Sequence, residues 1–171
     1  LLEQLLEASK PPPAPGTEGL HYLLATPFRY PPLRHGSRFG TRFEPSLLYA
    51  GLGLGAALAE TAYYRCVFWA GMAAPPPRGR LTTEHTVFGA RYAAAHGLRL
   101  QASPFDRFQA ELTRPDSYAD TQALGRELRA AETDGFEFRS ARDPHGGVNI
   151  ALFHPGALAE PAPVWQQAWL C

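Results

Sequence analysis

The stretch FEFRSARDPHGGVNIALF, residues 136–153, limits what this chain can fold into more than any other. Apolar and polar residues alternate on both sides of a polar centre, Arg139-Ser140-Ala141-Arg142-Asp143, and Gly146 and Gly147 follow it. A period of two predicts a half-buried strand on each side, and the polar, glycine-bearing centre predicts a turn. A hairpin with one apolar face needs a second layer to cover it, so the fold must bring other elements onto these strands. The same hairpin gathers Ser140, Arg142 and Asn149. Two readings stand at this point: a solvated turn, or one wall of an anion-binding site.

The elements upstream supply candidates for the covering layer. LLEQLLEA spaces its leucines as an amphipathic helix does, and PPPAPG at 11–16 stops it as a stiff linker. LHYLLATPF reads as an extended segment, and YPPLRHGSRFGTRFEP as loop, because its prolines and glycines break both periods. SLLYAGL reads as a short buried strand. GAALAETAYYRCVFW is the clearest helix, with Leu58, Ala62, Cys66 and Trp69 on one face, and MAAPPPRGR ends it. TTEHTVFGARYA and GLRLQA read as strands. Helices are expected over SPFDRFQAEL, with Ser103 as cap and Pro104 at the first helical position, and over SYADTQALGRELRAAE, capped by Ser117 with Asp120 behind it. The aromatic tail is expected to dock on the body. Strands and helices mix without regular βαβ spacing, so the predicted class is α+β, a mixed or antiparallel sheet with flanking helices. At 171 residues the chain fits one domain over 20–171, preceded by a helix and linker over 1–19.

Composition narrows the function. Lys+Arg and Asp+Glu both number 16, which argues against a direct nucleic-acid binder. Lys10 is the only lysine, so the cations are arginines, whose planar fork suits phosphate and carboxylate. A GC-rich genome gives the same bias. The 2 cysteines, Cys66 and Cys171, do not make a disulfide framework, which points to a reducing cytoplasm, and Cys66 reads as a buried thiol. No run of apolar residues is long enough to span a membrane, and the leading residues lack the basic start of a signal peptide.

Several motifs fail. GLGLG at 51–55 lies between a strand and a helix, but its spacing is not that of a dinucleotide fingerprint and no acidic residue stands where one would hold a ribose. A tight turn into the helix explains it. The 6 histidines are scattered, so no metal site is expected. Ser140 lacks the flanking glycines of a nucleophile elbow.

Three clusters remain. FRYPPLRHGSRFG at 28–40 carries Arg29, Tyr30, Arg34 and Arg38. LLYAGLGLGAALAETAYYR at 47–65 carries Tyr49 and, among small apolar neighbours, Glu60. The hairpin carries Ser140, Arg142 and Asn149. A carboxylate in Glu60's setting belongs on the solvated face of the helix, unless an arginine-lined pocket supplies its counter-charge.

Together these clusters resemble the RES domain, the toxin of bacterial RES–Xre toxin–antitoxin pairs, over roughly residues 26–155. The Tyr-x(10)-Glu spacing, then Ser-x-Arg-Asp and Gly-Gly-x-Asn, carries the resemblance. It places the family's Glu on Glu60, its Ser on Ser140 and its Arg on Arg29, with Arg38 close behind. It implies an ADP-ribosyltransferase-like fold and NAD+ as substrate, broken at the nicotinamide–ribose bond, with no metal. Catalytic roles then fall on Glu60, Arg29 and Ser140. NAD+ contacts fall on Arg29, Arg38, Tyr30, Tyr49, Ser140, Arg142 and Asn149. It also implies an Xre-like antitoxin that carries the DNA-binding function, joined with this chain in a hetero-oligomer, and in some members a protein that accepts ADP-ribose. Hydrolysis, phosphorolysis and transfer to protein would all use the same Glu60. A reading of another class is a non-catalytic module that holds a nucleotide or phosphate, or a body that only binds its antitoxin. Glu60 separates the two, because a carboxylate in an anion pocket repels the ligand of a pure binder.

Overall fold

The computed structural model describes Glu7 and residues 9–171; the helix expected over the first eight residues lies largely outside them. Along the chain come α1 (Tyr22–Arg29), β1 (Leu48–Gly51), α2 (Leu54–Ala70), β2 (Glu84–Gly89), β3 (Gly97–Arg99), the single-turn α3 (Gln109–Leu112), α4 (Ala119–Ala130), β4 (Gly135–Arg139), β5 (Val148–Leu152) and β6 (Trp165–Leu170). Four strands form a mixed sheet in the order β1-β5-β4-β3, in which only β3 and β4 run parallel. A separate antiparallel ribbon pairs β2 with β6. The fold is α+β with helices around the mixed sheet, as expected.

The hairpin is the centre of that sheet. β4 and β5 pair with Phe136 opposite Ala151 and Phe138 opposite Asn149, so these four share one face. On β5's other side Tyr49 meets Ala151 and Gly51 meets Asn149, which adds Tyr49 and Gly51 to that face. Phe39, Leu100, Leu112 and Leu128 close over it in the main core, with the Phe39 ring 4.7 Å from Phe136 and 4.8 Å from Phe138. The opposite face buries Leu48, Ile150 and Leu152 against Phe28 of α1.

Five local expectations are corrected. LHYLLATPF is helical over α1: His21 Nδ1 accepts the Leu23 N–H as an N-cap, and Leu24 and Phe28, one turn apart, are its buried residues. The apolar run before Pro27 masked that spacing. Ser103 caps no helix; the turn that follows it is 3-10 over Asp106–Phe108 before α3 begins. α4 starts at Ala119 with Tyr118 in the cap position, so Ser117 stands one residue outside, its hydroxyl 3.4 Å from the Ala119 N–H. Cys66 is exposed, because α2 buries only Ala56 and projects its C-terminal half into solvent. The tail does not pack into the body; it is the outer strand of the ribbon, and Trp165 keeps 47% of its surface exposed.

The glycine run at 51–55 does what a tight turn requires. A Cβ on Gly51 would fall 2.6 Å from the Ala57 nitrogen, so only glycine lets β1 pass this close to the first turn of α2.

Candidate active site

Glu60 stands in the second turn of α2, half-buried where that helix crosses the end of β5. Ser140 follows directly on β4, and its N–H bonds the Gly147 carbonyl at 2.8 Å, carrying the ladder one step into the turn. Asn149 points from β5 into the same space and is 4% exposed. The Ser140 hydroxyl donates to Glu60 Oε1 at 2.6 Å, and Asn149 Nδ2 donates to the same oxygen at 3.0 Å. Both holders therefore grip one carboxylate oxygen. Among the described residues no bond is recorded to Oε2.

The serine has no further capacity. A hydroxyl offers one proton and two lone pairs. The proton goes to Glu60, while the oxygen accepts the N–H groups of Arg142 at 3.1 Å and Asp143 at 3.0 Å. The turn is locked from its far side by Asp143, whose carboxylate accepts the His145 N–H at 2.9 Å and the Gly147 N–H at 3.1 Å. Gly146 takes φ +71°, the left-handed conformation that this turn needs and that glycine adopts freely. Among the described residues Asn149 Oδ1 is buried without a hydrogen-bond partner.

Two arginines stand in the same neighbourhood, each fixed by a ring and by backbone carbonyl oxygen. Arg38 Nη1 donates to Leu112 O at 3.2 Å and Arg114 O at 2.9 Å, with its guanidinium carbon 4.9 Å from the Tyr118 ring centre. Burial lowers its pKa, with the nearby Arg142 charge adding to the effect and Tyr118 and Glu60 opposing it; the guanidinium remains a cation at any working pH. Arg142 Nη2 donates to Pro115 O at 3.1 Å, and its guanidinium lies 3.7 Å above the Tyr63 ring centre. The charges of Arg142 and Glu60 thus both act on Arg38, in opposite senses.

Beside them lies an open cleft of about 250 Å³, walled by Pro27, Pro31, Ser37, Tyr49, Tyr64 and Tyr118 among others. Tyr64, one helical turn beyond Glu60, joins the cleft to the carboxylate. Its phenol pKa is pushed up, by burial first and then by the neighbouring Tyr118 hydroxyl. Tyr49 presents its ring to the cleft while its hydroxyl bonds Ser37 Oγ at 2.9 Å and accepts the Phe39 N–H at 3.1 Å. Burial raises its pKa as well.

The structure thus brings Glu60, Ser140, Asn149, Arg38 and Arg142 together and sets Tyr49 on the adjoining cleft. Arg29 and Tyr30 stand apart. Arg29 Nε donates to the Pro11 carbonyl at 2.6 Å and Nη1 pairs with Glu7 at 2.5 Å, with no bond to the Glu60 group. Tyr30 is 40% exposed, and its carbonyl accepts the Ser46 hydroxyl at 2.6 Å. Sequence reasoning passed over Tyr63, Tyr64, Tyr118 and Asp143. The four-residue step from Glu60 to Tyr64 was a usable signal for a shared helix face. Tyr118 gave none, since only the folded chain brings it to Tyr64.

Comparison with curated proteins gives no match. The sequence model of the RES domain matches residues 14–171, which takes in all of the residues just described except Glu7 and Pro11. With the match running over most of its length, the chain belongs to the RES domain family, a family of toxin domains.

Proposed function

We propose that this chain is the toxin of a toxin–antitoxin pair and that its Glu60 site cleaves the nicotinamide–ribose bond of NAD+. One observation carries the reading: a carboxylate is held by two donors through a single oxygen, one helical turn from the Tyr64 that walls an aromatic cleft, with the charges of Arg38 and Arg142 acting in the same neighbourhood. A surface glutamate would not be gripped in this way, and a pure anion binder would not place it next to its arginines.

The chemistry follows from that geometry. When the glycosidic bond breaks, nicotinamide leaves with both bonding electrons as a neutral ring, and the ribose carries the positive charge. Glu60 Oε2 is the oxygen available to stabilise that charge and to orient the incoming nucleophile, as a carboxylate does in glycoside cleavage. The nucleophile gives up its proton to Glu60 or to solvent as its bond to the ribose forms. Water, phosphate or a protein side chain fits this step equally. Arg38 and Arg142 each use one guanidinium nitrogen on backbone carbonyls and keep others for the diphosphate. Tyr49, whose hydroxyl is already engaged, offers its ring for stacking on nicotinamide. Ser140 acts in this reading by holding Glu60, since all its bonding capacity is in use.

An Xre-like antitoxin that binds DNA and covers this site completes the proposal, in keeping with a zero net charge on this chain. Among the described residues no helix is long and apolar enough to cross a membrane, and the proposed location is the cytoplasm, where NAD+ is found. The test is incubation of the purified chain with NAD+, with and without phosphate and a cell lysate, followed by product identification. Free nicotinamide with ADP-ribose or its phosphate supports NAD+ degradation. Nicotinamide released only with lysate, with ADP-ribose on one protein, supports transfer. Intact NAD+ in every mixture removes the enzymatic reading in favour of a binding module.

A further inference from the structure

We infer that two copies of this chain pair through the outer edge of β6, joining their ribbons into one four-stranded antiparallel sheet. The inference stands independently of the NAD+ reading. Among the described residues β2 and β6 pair with each other and pack on no other helix or strand beyond marginal contact. A two-stranded ribbon on its own is marginally stable in water. β6, WQQAWL, carries no charge, no proline and no bulge within the strand, the usual devices that keep an open edge from pairing. Among the described residues nothing hydrogen-bonds that edge.

The register of the ribbon says which groups are open. Thr83 and Cys171 exchange both backbone hydrogen bonds, each 2.9 Å. Antiparallel pairs alternate, so the N–H and C=O groups of Trp169 and Gln167 face β2, and those of Gln166, Ala168 and Leu170 point outward. A two-fold axis through Gln167 matches these outward groups to those of a second copy, Gln166 to Ala168 and Ala168 to Gln166. The segment Trp165-Gln-Gln-Ala-Trp169 is symmetric in its aromatic residues about Gln167. The same axis therefore sets Trp165 opposite Trp169 of the second copy, twice, in the positions where antiparallel side chains come closest. Gln167 and Trp169 already share a face, since Trp169 Nε1 donates to Gln167 Oε1 at 3.2 Å.

The edge offers apolar surface: Val164 is 42% exposed, Trp165 47% and Leu170 74%. A specific interface buries at least about 1,000 Å² in total, so the edge backbone and the glutamines join these side chains in the contact. A second copy satisfies the edge, the aromatic symmetry and the axis at once; an unrelated strand has to satisfy only the edge.

Sedimentation velocity on the whole chain, over a range of concentrations, tests this. The expected result is a monomer–dimer equilibrium. Gln167 lies on the axis, so Gln167→Lys and Gln167→Glu each set like charges face to face and shift the equilibrium to monomer, while an equal mixture of the two restores the dimer. Ala168→Pro removes one outward N–H that β2 does not use and also shifts it to monomer. Unchanged circular dichroism in the Gln167 variants shows that the fold is kept. A wild-type monomer at every concentration overturns the inference, and so does a dimer that neither Gln167 variant weakens.

Discussion

Glu60 shares one oxygen between two donors, and removing its charge leaves those donors with an acceptor still in place. Glu60→Gln is therefore expected to keep the fold and lose turnover by about 10²–10⁴-fold, the usual contribution of a positioned acid–base group, read as nicotinamide release. A second residue-scale prediction concerns the far end of the sheet. Tyr92 donates its hydroxyl to Glu137 at 2.8 Å, and burial, then that bond, pushes its pKa up to about 12 from an ordinary value of 10.0. The folded chain holds this proton longer than the unfolded chain. Its stabilising contribution is complete below pH 10 and is lost as pH rises through the folded pKa of about 12. Urea denaturation of Tyr92→Phe between pH 10 and 12 should show a shallower fall in stability than wild type. At this scale the sequence was legible where a residue clashed with its surroundings. Glu60 among alanines drew attention for that reason, whereas Ser140 was found through the family pattern of its turn. Arg29 illustrates the limit: nothing local in FRYPP tells that Glu7 and Pro11 occupy its side chain.

The hairpin and α2 meet at Ala56 and Gly147. A Cβ on Gly147 would fall 2.9 Å from Ala56 Cβ and run into the Asp143 carboxylate that locks the turn. Gly147→Ala is expected to push the hairpin off the helix, costing about 1–3 kcal/mol of stability. The same shift parts Ser140 from Glu60, so nicotinamide release should fall well beyond what the stability loss explains; comparing activity with denaturation midpoints at a temperature where the variant stays folded checks this. Elements with strong periods were legible: the hairpin, α2 and α4 stand where alternation and helical spacing put them. α1 was not, because Pro27 hid a helix that buries Leu24 and sets Phe28 against the sheet. The caps of α3 and α4 failed for a related reason. Both are set by how the chain arrives from the core, a tertiary effect that outweighs local capping preference.

At the scale of the molecule, β5 is the strand on which everything depends. It pairs with β1 on one side and β4 on the other, and it carries Asn149. A chain that ends before Val148 is expected to lack both a cooperative unfolding transition and any nicotinamide release, measured by thermal denaturation and product assay on the truncated protein. The sheet order itself was out of reach of the sequence, because pairing between strands a hundred residues apart leaves no local trace.

Glu60 lies 80 residues ahead of Ser140 and 89 ahead of Asn149. On the ribosome, the Glu60 carboxylate is made long before the two groups that hold it. β1 waits just as long for its neighbour, since Leu48 pairs with Leu152. A growing chain therefore holds no assembled site through most of its synthesis, and the site closes only when the last part of the domain has emerged. On the proposed reading, a product that stops before Asn149 carries no working site, so the order of translation itself acts as a safeguard.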